Sequence, residues 1–203
     1  MLQYRSVYPE TLELLKELMQ VPSLQNFQLV GGTALALQLG HRISVDLDLF
    51  SEKEFEKEAI LRDVRSLGKV ESIHPELLML MINEVKVDIV HYPYPFIYPI
   101  EEIEGIRLAS VKDIIAMKLS AIANRGAKKD FFDVCMLLDQ YSLKEMLQFF
   151  AEKFPGINHF HVIKSLTYFE DAEEDAPPLM LTDLKWINVK EIIEGEVESF
   201  LKK

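Results

Sequence analysis

The sequence predicts an α+β fold, with a strand-bearing half over residues 1–100 followed by a helical half over 101–203. Three observations predict it. Before residue 100, apolar residues alternate with polar ones in short runs, as in "SVDLDLF" (44–50) and "VKVDIV" (85–90), which is the period of a strand with one buried face. After residue 100 they recur three and four apart, as in "VKDIIAMKLSAIA" (111–123), the period of a helix. Between the two lies a stiff proline- and tyrosine-rich stretch, 93–99, that suits a loop leaving a sheet. At 203 residues, with 49% hydrophobic and 27% charged side chains, the chain can bury one full core.

Each element follows from local pattern. Leucines at 12, 14, 15 and 18 place a helix over Pro9–Met19. "FQLV" (27–30) is a short strand closed by Gly31-Gly32, and "TALALQL" (33–39) is a helix ending at Gly40, a usual C-terminal glycine. "SVDLDLF" puts Val45, Leu47 and Leu49 on one face and Asp46 and Asp48 on the other. A charged helix is expected over Glu52–Ser66, and "LLMLMI" (77–82) pairs with "VKVDIV" in a hairpin around Asn83-Glu84. Ser110 and Asp113 have capping-box spacing for the helix Val111–Ala123. Helices follow over Lys129–Gln140 and Leu143–Lys153, then further helical segments, with "EDAEEDAPPLM" (170–180) as a surface loop.

Composition narrows the function classes. A net charge of −11 argues against nucleic-acid binding over the whole surface, because phosphate neutralisation needs clustered Lys and Arg. The one local basic group is Lys112, Lys118, Arg125, Lys128 and Lys129. No apolar stretch approaches membrane-span length, and the N-terminus lacks the pattern of a signal peptide. The single cysteine, Cys135 in "FFDVCMLL", reads as a small core residue. A cytoplasmic protein without a membrane partner is expected.

The acids raise the chemical question. Strands disfavour aspartate, yet Asp46 and Asp48 share one face of a strand, and Asp88 sits on the polar face of another. Two carboxylates about 4 Å apart at a sheltered surface repel by roughly 4 kcal/mol at an effective dielectric near 20. Protonation, bound cations or full hydration would relieve this. Three acids on neighbouring strands suit Mg²⁺, which takes oxygen ligands and shares them with substrate phosphates; solvated aspartates on an edge strand are the plain alternative. A strand ending in Gly31-Gly32 before a helix, with the Thr33 hydroxyl beside it, can receive an anion at the helix N-terminus, or can be a simple connection.

The helical half adds cations. Positions 111, 114, 115, 119 and 122 form an apolar stripe, and Lys118 falls in its middle with Arg125 two turns on. A lysine there must snorkel outward or meet an anion, and a phosphate is one such anion. Asp130 and Asp133 lie three apart on one helix face, with Lys129 able to pair with Asp133. Asp130 is either an acid favoured by the helix dipole, or one that orients Lys118 or acts as a general base.

Taken together, Gly31-Gly32 thirteen residues before Asp46-x-Asp48, with Asp88 on a later strand, resembles the signature of the polymerase-β-like nucleotidyltransferase superfamily. "GGTALALQLGHRISVDLDLF", "VKVDIV" and "KLSAIANRGAKKDFFDV" look like the motifs of the AbiEii-type nucleotidyltransferase toxins of bacterial toxin–antitoxin systems, over about Phe27 to Asp139, and "LTYFEDAEED" also fits that family. Thr33 stands where many relatives have serine. The resemblance implies a polymerase-β-like core with a mixed sheet, then a helical region that completes the active site and contacts the acceptor. It implies nucleotide contacts at Gly31, Gly32 and Thr33 and metal ligation by Asp46, Asp48 and Asp88, and beside such a site Lys118 is expected to bind phosphate with Arg125 as a second contact. Catalytic importance falls on those three acids with Lys118 and Asp130, and Asp133 is a second acid. The implied reaction moves a nucleoside monophosphate from an NTP, with two Mg²⁺ ions, to an RNA acceptor (above all a tRNA 3′ end) or a protein hydroxyl. A cognate antitoxin is the implied partner. An NTP-binding regulatory or interaction protein without turnover is the alternative.

Overall fold

In the computed structural model, residues 1–74 and 78–202 are described, without the side chains of 72–74. They form two compact units, Met1–Ser110 and Val111–Lys203. Leu77, in the expected hairpin strand, lies outside the described residues.

The first unit begins with α1 (Pro9–Gln20), which starts on a proline at its first position and buries Thr11, Leu14, Leu15, Leu18 and Met19. Strand β1 (Gln28–Val30) runs into α2 (Gly31–Leu39), which ends at Gly40 in the left-handed conformation. Next come β2 (Leu47–Ser51), α3 (Lys57–Val64), β3 (Val70–His74), β4 (Met79–Ile82), β5 (Val85–His91), β6 (Glu101–Ile103) and β7 (Ile106–Leu108). The strands form one mixed seven-stranded sheet in the order β3-β4-β5-β2-β1-β7-β6 among the described residues. At its centre β2 runs antiparallel to β1 and parallel to β5. Leu47, Leu49, Val87 and Ile89 are buried on one face, while Asp48, Phe50, Lys86 and Asp88 take the other.

Three elements of this unit differ from the sequence expectation, and in the second unit Glu170–Glu173, expected as loop, is a short helix. The strand expected over 44–50 starts only at Leu47, so Asp46 precedes it and Val45 is exposed. The cause is the length of β1. Its last residue, Val30, pairs with Asp48, and the chain then turns into α2, leaving 45–46 without a β1 neighbour. The helix expected from Glu52 starts at Lys57, because Ser51 Oγ accepts the Lys53 N–H and the Glu52 side chain accepts the Phe96 N–H. Third, 101–108 is a hairpin rather than the start of the helical half. Glu104 and Gly105 both take positive φ at its turn, and β7 pairs parallel to β1, so the sheet extends past residue 100. Arg107 secures this edge by donating to the carbonyls of Met19, Leu24 and Phe27. The hairpin at Asn83-Glu84 forms as its pattern predicts, with both turn residues at positive φ.

The second unit is helical: α4 (Val111–Asn124), α5 (Lys128–Leu138), α6 (Leu143–Lys153), α7 (His159–Leu166), the short α8 (Glu170–Glu173) and α9 (Trp186–Leu201). Helix α6 has a full capping box between Ser142 and Glu145. At Asp113 the structure shows a different use from capping: the carboxylate is fully buried and accepts Lys153 Nζ at 2.8 Å, tying α4 to α6. Phe131, Phe132, Phe169 and Trp186 pack as one aromatic cluster. Cys135 is buried, and burial pushes its thiol up to about 11, which suits a core residue. Among the described residues no helix is long and apolar enough to cross a membrane.

Candidate active site

The parallel register of β2 and β5 sets Asp48 directly beside Asp88 on one face of the sheet. Parallel neighbours on one face are close, so the two carboxylates share a small volume. Lys86, two residues before Asp88 on the same face, brings its ammonium to 2.6 Å from Asp88 Oδ2. Partial burial pushes the Lys86 ammonium down, but Asp88, with Asp46 and Asp48 behind it, outweighs burial and leaves it above the ordinary lysine value. Asp88 Oδ1 is buried with no hydrogen-bond partner among the described residues. A cleft of about 490 Å³ opens beside Asp88, lined in part by Phe55, Lys57, Met79, Val90 and His91.

The β1–α2 turn is built against these acids. Gly31 has φ +67, and a Cβ there would overlap Asp48 Oδ2. A Cβ on Gly32 would instead overlap Nη2 of Arg42, a buried guanidinium that also donates to the Ile43 carbonyl at 3.2 Å. Thr33 is buried. Its Oγ1 donates to the Asp46 carbonyl and lies 2.9 Å from Ser44 Oγ. The hydroxyl expected to face an anion therefore braces the segment that carries Asp46.

In the helical unit, Lys118 neither snorkels nor stands open to solvent. Its ammonium is buried between Asp130 Oδ1 at 2.7 Å and Asp133 Oδ2 at 2.6 Å, both carboxylates fully buried. Arg125 Nε donates to Asp130 Oδ2 at 3.1 Å while most of its side chain remains exposed. Burial raises the Asp130 carboxyl, but Lys118 and Arg125 outweigh it and hold the group below the ordinary carboxylate range. The Lys112–Lys129 basic group is not a continuous surface patch. Lys118 is enclosed, and Lys128 is buried with its Nζ donating to the Glu173 carbonyl at 3.0 Å and to that of Asp175, below the Trp186 ring.

The family model for "Nucleotidyl transferase AbiEii toxin, Type IV TA system" matches residues 13–202. The chain belongs to the AbiEii nucleotidyltransferase toxin family. An uncharacterized protein of Aquifex aeolicus (strain VF5), aq_aa25, is 34% identical over 208 residues, covering 98% of this chain and 99% of that one. Solved structures share the fold. JHP933 from Helicobacter pylori aligns at TM-score 0.57 and 20% identity, over 97% of this chain and 94% of its own. MenT4, a nucleotidyltransferase toxin of Mycobacterium tuberculosis H37Rv, aligns at TM-score 0.59 and 15% identity, over 97% and 86%. The α+β fold is thus that of nucleotidyltransferase toxins, and this AbiEii chain is a nucleotidyltransferase toxin.

Two groups beside these acids are absent from the sequence expectation. Lys86 has no part in the sequence expectation, although a lysine two before Asp88 on one face is the signal for its pairing. Arg42 gave no sequence signal, because its placement against Gly32 comes from the fold of 40–44. Among the described residues, no three carboxylate, imidazole or thiol groups form a ready-made metal cage. A site completed by phosphate oxygens and water needs only one or two carboxylates per Mg²⁺. Asp48 beside Asp88, with the buried oxygen of Asp88 unpartnered, fits that requirement.

Proposed function

We propose that this AbiEii toxin is a cytoplasmic, Mg²⁺-dependent enzyme that transfers a nucleoside monophosphate from an NTP to an acceptor hydroxyl with release of pyrophosphate. The acceptor is RNA, in the first place a tRNA 3′ end, with a protein hydroxyl second, and the setting is phage defence with a cognate antitoxin. The observation that carries this reading is Asp48 in register with Asp88 beneath the Gly31 turn. Asp46, Asp48 and Asp88 would hold two Mg²⁺. Bound there, the ions would favour the ionised acceptor oxygen and neutralise charge on the departing pyrophosphate.

The chain's own residues supply the rest. The start of α2 offers backbone N–H groups to phosphate, while the absent side chains of Gly31 and Gly32 leave room for Asp48 and Arg42 against the turn. Thr33 keeps the Asp46 segment in place. The cleft beside Asp88 has the size of a small-molecule site and would receive the nucleoside. Of the two cations expected to meet phosphate, Lys118 is enclosed by Asp130 and Asp133, so we assign phosphate contact to Arg125, whose side chain is mostly exposed. Asp130, its two oxygens held by two cations, is a poor proton acceptor, so we assign it the positioning of Lys118 and Arg125 rather than general-base work.

The test is incubation with each labelled NTP, Mg²⁺ and total cellular RNA, or total cellular protein, for the wild type and Asp48→Asn. Label transferred to one acceptor pool by the wild type and lost in Asp48→Asn is the expected result. Mg²⁺-dependent NTP binding without transfer to either pool would favour the binding-module alternative, which Lys86 already seated on Asp88 also suits.

A further inference from the structure

The geometry points to Lys86 as a resident counter-ion of the acid site: in the metal-free protein its ammonium takes the place of a cation beside Asp88 and Asp48, and a metal ion binds by displacing it. This rests on the reading of Asp46, Asp48 and Asp88 as metal ligands. Lys86 Nζ lies 2.6 Å from Asp88 Oδ2, and Asp48 stands beside Asp88 in the parallel register. The two oxygens of Asp88 are divided, Oδ2 held by Lys86 and Oδ1 buried without a hydrogen-bond partner among the described residues. An ammonium and a divalent cation repel at such distances, so both cannot share one carboxylate at full strength.

Displacement requires little of the fold. β5 is paired on both sides, by β2 and β4, so its backbone is fixed. The Lys86 side chain is about one-third exposed, at 34%, and its flexible stem can lift the ammonium into water without moving the strand. Lys86 and the metal are therefore linked antagonistically, and each weakens the other's hold on the acids by the same factor. Lys86 also neutralises crowded carboxylates before metal arrives, which keeps the sheet centre stable in the metal-free state.

Calorimetric titration of the full chain with Mn²⁺, without nucleotide, tests this for wild type, Lys86→Gln and Lys86→Arg. Lys86→Gln should bind Mn²⁺ more tightly, on the order of tenfold, while melting at a lower temperature without metal and regaining the difference on Mn²⁺ saturation. Lys86→Arg keeps the charge and can grip a carboxylate with two N–H groups, so it should bind Mn²⁺ no more tightly than wild type. If wild type binds Mn²⁺ and Lys86→Gln binds it equally or more weakly, Lys86 is only a structural ion pair and the inference is wrong while the metal reading stands. Absence of Mn²⁺ binding in all three proteins would remove the metal reading and this inference together.

Discussion

Lys118 lies in the apolar stripe of α4, where burial of an unpaired ammonium would cost several kcal/mol. Two buried aspartates from α5 resolve that cost, and Arg125 shares one of them. Removing one partner of such a cluster leaves an uncompensated buried charge. Lys118→Met should therefore destabilise the protein by about 3–5 kcal/mol, even though methionine fits an apolar stripe. Adding Asp133→Asn should restore part of the loss, and urea unfolding of the two single variants and the double measures it. Asp130 carries a pH signature. Its folded pKa is lowered, so its contribution is fully present above the ordinary carboxylate value near ~3.9 and is lost as pH falls through the lower folded value. Urea midpoints between neutral pH and pH 3 should fall less steeply at the acid end in Asp130→Asn than in wild type. Parallel acid limbs in the two proteins would contradict this.

The β1–α2 turn shows how an element sets the position of a side chain outside it. Gly31 is required twice, once by its positive φ and once by the Asp48 carboxylate that fills the space of a Cβ. Gly32 has no such φ, and a Cβ there would chiefly meet the far end of the long Arg42 side chain, with Ser44 Oγ at ordinary contact distance. Gly31→Ala should therefore cost more stability than Gly32→Ala, by roughly 1–2 kcal/mol for the backbone conformation alone, and should displace Asp48. Chemical denaturation of both variants, with Mg²⁺·NTP binding measured alongside, tests the order. A larger loss in Gly32→Ala would mean that Arg42, rather than Asp48, is the rigid neighbour. The same turn ends β1, and that in turn fixes where β2 begins and why Asp46 stands before the strand.

At the scale of the whole molecule, a net charge of −11 meets a proposed polyanionic acceptor. Of the five cations grouped between Lys112 and Lys129, Lys118 and Lys128 are buried in ion pairs or carbonyl contacts, while Arg125 and Lys129 are exposed and Lys112 is half-buried. At most three can then release counterions from single-stranded RNA. The logarithm of RNA affinity should fall against the logarithm of salt with a slope no steeper than about −2. RNA-binding titrations over a range of salt concentrations measure this, and a much steeper slope would place the RNA on a different surface. Reversing Lys128 to Glu is a poor probe of RNA contact, because it would set a carboxylate against the carbonyls of Glu173 and Asp175.

The sequence by itself determined the local periods, and with them the faces. Alternation put Asp48 and Asp88 on the polar faces of their strands, and the spacing of Asn83-Glu84 marked the hairpin. Helical period placed Lys118 in an apolar stripe, and the Gly-Gly and Asp-x-Asp spacing carried the family. These are properties of neighbouring residues, so a few positions of chain contain them. The tertiary structure decided the partners. Which acid stands beside which depends on strand register, and which anion meets Lys118 depends on a second helix. The start of β2 was set by the length of β1, and the 101–108 hairpin gained its place only by pairing with a strand some eighty residues earlier. Buried charges and short edge strands are unstable alone, and the groups that stabilise them come from distant parts of the chain.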